Sequence, residues 1–126
     1  QVWQNVVFQA MLSTCIAVFT TMLVVYISPY NFNFLGIILF ISLIALIIMR
    51  VLNALIFKSA KQMLYQSYFG IVIFTLYLVY DFDRLKQANA AGDNSWGTAV
   101  DIAVNIYLDI INLFIELLIA MGESSQ

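Results

Sequence analysis

The 126-residue sequence has no histidine, one cysteine and one proline, and only 10% of its residues are charged. Without histidine there is no His-based catalytic triad, no His general base and no His-ligated zinc. A lone cysteine excludes a disulfide within the chain and a thiolate metal cluster, and leaves the redox compartment unread. Lying in an apolar run, Cys15 is expected to be a buried, inert thiol. The scarcity of charge excludes more. Ordinary soluble domains carry about 25% charged residues, whereas residues 1–49 here carry none. The five Lys and Arg are scattered and the net charge is −2, so there is no basic face for nucleic acid. No signal peptide with a basic flank precedes the first apolar run. The chain starts at Gln1 rather than Met, so a fragment lacking its natural N-terminal portion is expected.

What is present is apolar: 63% of the residues are hydrophobic. They form four runs, each near the roughly 20 residues that cross a bilayer. The first is placed at residues 6–27 and broken by Ser28-Pro29-Tyr30-Asn31. The second covers residues 34–53, followed by a short basic connection with Lys58 and Lys61. The third covers residues 63–80, the polar stretch 87–97 is a loop, and the fourth covers residues 98–121. The fold class is therefore an all-α polytopic transmembrane bundle, one domain, with the lipid bilayer as its first partner. Short connections predict that consecutive spans are antiparallel neighbours. Arg50, Lys58 and Lys61 lie toward one side and Arg84 and Lys86 toward the other, so positive charge does not set the orientation.

The last span carries a polar stripe. Asp101, Asn105, Asp109, Asn112 and Glu116 are spaced four, four, three and four residues apart, which at about 100° per residue confines them to roughly 80° of the helix. Ionisable groups in lipid are costly and usually functional, so the stripe points to a water- or ion-accessible interior lined by Asn105, Asp109, Asn112 and Glu116. Asp101 has a simpler role as a helix-start charge, because Thr98 and Asp101 have capping-box spacing. Weaker polar faces occur elsewhere: Asn5, Gln9, Ser13 and Thr20 on the first span, and Gln66, Gly70, Tyr77 and Asp81 on the third. Such residues more often serve packing and interhelical hydrogen bonds, and Gly70 is expected to be a close-packing point.

An unpaired carboxylate at Asp109, mid-span, would be severely destabilising. Asp81 is placed at the end of the third span, and the fourth returns alongside it. If the two meet they cannot both ionise cheaply, and they would titrate as a unit, a proton-controlled latch. The same two carboxylates, Asp81 and Asp109, offer oxygen ligands to Ca²⁺. A protonated Asp109 held purely for packing is the plain alternative. An intramembrane aspartyl protease is disfavoured because Asp109 lies between Tyr107-Leu108 and Ile110-Ile111-Asn112, without the Gly-containing motif expected there. No enzymatic activity and no cofactor are expected.

Tyr107-Leu108-Asp109-Ile110-Ile111-Asn112-Leu113-Phe114 closely resembles the signature of the last long helix of the Bax inhibitor-1, or transmembrane Bax-inhibitor-motif, family. Val79-Tyr80-Asp81-Phe82-Asp83-Arg84-Leu85-Lys86 is similar to the family's Tyr-Asp motif, in the right order. Earlier spans match loosely, from Gln9-Ala10 to Phe19 and from Leu35-Gly36 to Asn53. The resemblance implies a seven-helix bundle with the signature helix at its centre, of which this chain supplies the last four spans. The missing N-terminal helices would then be partners of this chain. It implies a pH-sensitive calcium-leak pathway in stress or cell-death physiology, with Ca²⁺ as transported ion and Asp81 and Asp109 as its hydrogen-bonded gate. In the family a basic residue of an early helix pairs with the first aspartate, and neither Arg50 nor Arg84 fills that role by motif. Asp83 stands where many members have an amide. The rival function, from another class, is a non-conducting membrane regulator that binds other membrane proteins, such as a quality-control protease or a cell-death factor.

Overall fold

The structure, a computed structural model, describes residues 2–29, 31–93 and 95–124. Tyr30 of the first turn and Asn94 of the second lie outside the described residues. Four helices follow in order: α1 (Val2–Ile27), α2 (Leu35–Leu52), α3 (Ala60–Ala90) and α4 (Trp96–Ser124). A π-helical turn, Asn53–Phe57, extends α2. All four are long and apolar enough to cross a membrane.

Each connection is fixed by side chains. The end of α1 is closed by Lys86, whose Nζ donates to the carbonyls of Val25 (3.0 Å) and Ser28 (2.6 Å), a cation placed on the negative end of a helix dipole. After the π turn, Lys58 adopts a left-handed conformation (φ 48°), and Asn53 binds both backbone groups of Ser59: Oδ1 accepts its N–H at 3.1 Å and Nδ2 donates to its carbonyl at 3.2 Å. Ser59 then caps α3, its Oγ accepting from the Gln62 amide. The third connection turns at Gly92 (φ 72°), a conformation that suits glycine.

α4 opens at Ser95, whose Oγ accepts the Thr98 amide (3.4 Å), while Asp93 accepts the Ser95 amide (3.1 Å) and the Thr98 hydroxyl (2.9 Å). The capping role expected for Asp101 is thus overturned. The helix starts two residues earlier than the sequence suggested, and the capping side chains stand before it. The Ser95 backbone N–H, with the hydroxyls of Ser95 and Thr98, holds the Asp93 carboxyl below its ordinary pKa. Its stabilising effect is complete above the usual carboxylate range and is lost as pH falls through that lowered value. Protection of the Ser95 and Thr98 amides, taken relative to their intrinsic exchange at each pH, should therefore hold at neutral pH and fall only in acid. Asp93→Ala should lower it at neutral pH and change little in acid.

Packing departs from simple succession. α3 touches all three other helices, α1 also packs on α4, and α2 packs on α3 rather than on α1. The expectation of sequential neighbours therefore fails at the first pair, and among the four helices of this chain α3 is the one packed on all the others. Its mean hydropathy, 1.4 against 2.0 to 2.8 for the others, fits that place, since a helix enclosed by protein tolerates polar groups that lipid would reject. α3 is also longer than residues 63–80, so Asp81 lies inside the helix rather than at its end, and residues 87–90 are helical rather than loop. The core gathers Val25, Leu46, Ile73, Phe74, Leu78, Phe82 and Leu113.

On α1 the buried stripe is Val6, Ala10, Thr14, Thr21 and Val25. Asn5, Gln9, Cys15 and Thr20 each sit one residue, about 100°, off that stripe and are exposed. The buried thiol and the inward polar face expected there are corrected accordingly. Thr14 and Thr21 bond back to their own helix instead.

Candidate functional site

The seam between α3 and α4 holds a group of buried carboxyls. Asp81 and Asp109 are 3% and 7% exposed, and each carboxyl is close enough to act electrostatically on the other. Two ionised carboxylates have no donor between them, so they share a hydrogen bond only while one holds a proton. The Oδ2 atom of Asp109 is buried with no hydrogen-bond partner. Arg84, one turn beyond Asp81 on the same face, reaches Asp81 Oδ1 through Nη1 (3.2 Å) and Asp101 Oδ2 through Nη2 (2.6 Å). Its guanidinium carbon stands 5.9 Å from the centre of the Tyr80 ring. The exposed Asp101 is therefore linked through Arg84 to the buried aspartates. Arg84, which no motif assigned, is the basic partner of Asp81 in this chain.

The neighbouring residues of the same motif face elsewhere. Asp83, 2% exposed, accepts the Phe32 amide at 3.1 Å and a hydrogen bond from Gln87, which also donates to Asn33 Oδ1 at 3.0 Å. With Lys86, these residues clamp the α1–α2 connection onto α3. Sequence reasoning assigned neither Asp83 nor Lys86 a role, because their partners are more than fifty positions away.

The stripe of α4 divides. Asn105 donates to the Asp101 carbonyl (2.9 Å) and carboxylate (3.3 Å), and Asn112 donates to the Leu108 carbonyl (2.8 Å). Their amide nitrogens are thus bonded to their own helix. Glu116 is 2% exposed and pairs with Arg50 of α2. No local signal joins these two, which stand 66 positions apart. Gly70 makes room for this carboxyl: a Cβ there would lie 2.6 Å from both Cδ and Oε2 of Glu116. Gly70→Ala should therefore displace the end of the Glu116 side chain and loosen its pair with Arg50. A loss of about 1–3 kcal/mol is expected, read as a lower thermal midpoint that Glu116→Gln lessens.

A family described as "Inhibitor of apoptosis-promoting Bax1" matches residues 2–126. Protein LIFEGUARD 4 of Arabidopsis thaliana is 36% identical over 89 residues, 71% of this chain and 34% of that protein. Protein LIFEGUARD 2 of the same plant is 29% identical over 117 residues, 90% of this chain and 47% of that protein. An uncharacterized membrane protein of Streptococcus pyogenes is 31% identical over 124 residues, 96% of this chain and 53% of that protein. The chain thus spans between a third and about half the length of these relatives.

Proposed function

This chain belongs to the Bax inhibitor-1 family, and from that premise we propose that it forms the C-terminal part of a pH-sensitive calcium-leak channel whose gate is the Asp81–Asp109 pair. One observation carries the proposal: two neighbouring carboxyls are buried between packed helices, with the guanidinium of Arg84 beside them. A proton held between them joins α3 to α4 with a short, charge-assisted bond. When that proton leaves, two like charges remain close together in a low dielectric and push the helices apart. The separated carboxylates then offer oxygen ligands to Ca²⁺. Arg84 links the pair to Asp101 at the exposed end of the seam, where ions and protons would enter. The helices completing the bundle belong to this proposal and lie outside the chain.

The test is Ca²⁺ flux into liposomes carrying the full-length protein, measured across a pH series. Flux that rises with pH supports the channel. No flux at any pH would leave the rival, a non-conducting regulator acting on other membrane proteins, in keeping with the family description, which names inhibition of an apoptosis-promoting protein.

A further inference from the structure

The connection between α2 and α3 carries a basic surface that the carboxylate seam does not use. α2 and its π turn form an apolar span of 23 residues, Leu35–Phe57. That is about 34 Å at the helical rise, close to the roughly 30 Å of a bilayer's hydrocarbon core. The span therefore brings Phe57 to the edge of the hydrocarbon, and Lys58 and Lys61 to the level of the lipid headgroups. Beside them an open groove of about 240 Å³ runs between the end of α2 and the first turns of α3. Met49, Leu52, Phe57 and Tyr65 line it with Gln62 and Gln66. We propose that this groove seats one anionic phospholipid, an acyl chain against its apolar wall and the phosphate on Lys58 and Lys61. The site stands apart from the channel function.

Charge selects the ligand. No acidic residue precedes Asp81 in the chain, and among the described residues neither lysine has an ion-pair partner. Both are exposed, and each is the chain neighbour of a groove residue, Phe57 or Gln62. Arg50, by contrast, is committed to Glu116. Two unneutralised cations at headgroup depth beside an apolar groove suit a molecule with a negative head and a hydrocarbon tail. A free phosphate has no use for the groove, and a neutral lipid has none for the lysines.

The backbone holds this arrangement in place. Lys58 keeps a left-handed conformation (φ 48°), unfavourable for a residue with a side chain and maintained only where the surroundings over-determine it. Its amide donates to the Asn53 carbonyl at 2.5 Å, while the buried Asn53 side chain grips both backbone groups of Ser59. A simple link between two helices needs neither the strain nor the clamp, and single π turns recur at functional sites. The groove itself is pinned from beneath: Gln66, 8% exposed, donates to the Met49 carbonyl at 3.2 Å and ties α3 to α2. A lipid would thus meet a preformed seat, with little ordering left to do on binding.

The test mixes the full-length protein, purified in detergent, with phosphatidylglycerol or with phosphatidylcholine of the same acyl chains. Retained lipid is counted by native mass spectrometry. Wild type should hold phosphatidylglycerol at about tenfold lower concentration than phosphatidylcholine. Lys58→Asn combined with Lys61→Gln should abolish that preference; both positions are exposed, and asparagine tolerates the left-handed conformation. Leu52→Ala combined with Phe57→Ala keeps the lysines but strips the wall, and should weaken phosphatidylglycerol retention severalfold. Glycerol phosphate, a head without a tail, should not displace the lipid. Equal retention of the two lipids by wild type, a preference that survives loss of both lysines, or retention unchanged in the groove variant overturns the proposal. Displacement by glycerol phosphate also overturns it, and identifies a free-phosphate site instead. None of these outcomes depends on Ca²⁺ flux, so the lipid seat and the channel stand or fall separately.

Discussion

Asp109→Asn in the full-length protein should flatten the pH dependence of Ca²⁺ flux. Asparagine has nearly the shape of aspartate and donates a hydrogen bond to Asp81, so the α3–α4 contact survives, but it has no charge to lose or gain. At an effective dielectric near 20, two like unit charges repel by about 4 kcal/mol at a separation of about 4 Å. Half of that already exceeds a tenfold change in the open population. Flux of wild type should therefore change by tenfold or more over the titration, and that of Asp109→Asn by about twofold at most. Asp81→Asn should flatten it too. It also frees one arm of Arg84, so its basal flux is expected to differ from that of Asp109→Asn. Unchanged pH dependence in both single variants would reduce the aspartates to packing groups and remove the main support for the gate.

Leu113→Ala should have the largest effect of any core substitution. Leu113 is enclosed by α1, α2 and α3 residues of the core and separates Asp109 from Glu116. Truncation leaves a cavity between two charged stations, and the lost packing contacts cost about 2–5 kcal/mol. A cavity flanked by carboxylates and a guanidinium has the polar partners that hold water. The expected result is a lower thermal midpoint together with a leak at pH values where wild type is closed. Leu39→Ala, also buried on α2 but about three turns before Arg50 and outside the cluster around Leu113, should lower the midpoint without opening the leak. Equal leaks in the two variants would show that general loosening, rather than Leu113, controls flux.

Much of this molecule is legible in the sequence because much of it is governed by local rules. Length and hydropathy alone place four membrane-long helices, since a segment's free energy of transfer into lipid sums over its own residues. The 3.6-residue period puts Asp109 and Glu116 on one face of α4, and the order of the Tyr-Asp and Leu-Asp motifs brings Asp81 toward Asp109. The same local rules misplace what depends on neighbours. Helix ends moved because the capping groups of Asp93, Ser95 and Ser59 precede the apolar runs rather than lying within them. Asn105 and Asn112 share the stripe by angle, yet their amides bond to their own helix, a competition that periodicity does not resolve.

Only the tertiary structure decided that α3 is the helix all three others of this chain pack on, that Arg84 serves Asp81, that Arg50 serves Glu116 and that Asp83 and Lys86 hold the first connection. The reason is the cost of isolated charge in an apolar surrounding. Each buried carboxylate must find a donor, but sequence specifies only that a donor is needed. Which one it finds depends on the relative depth and rotation of helices far apart in the chain, and those are set by the packing of whole faces.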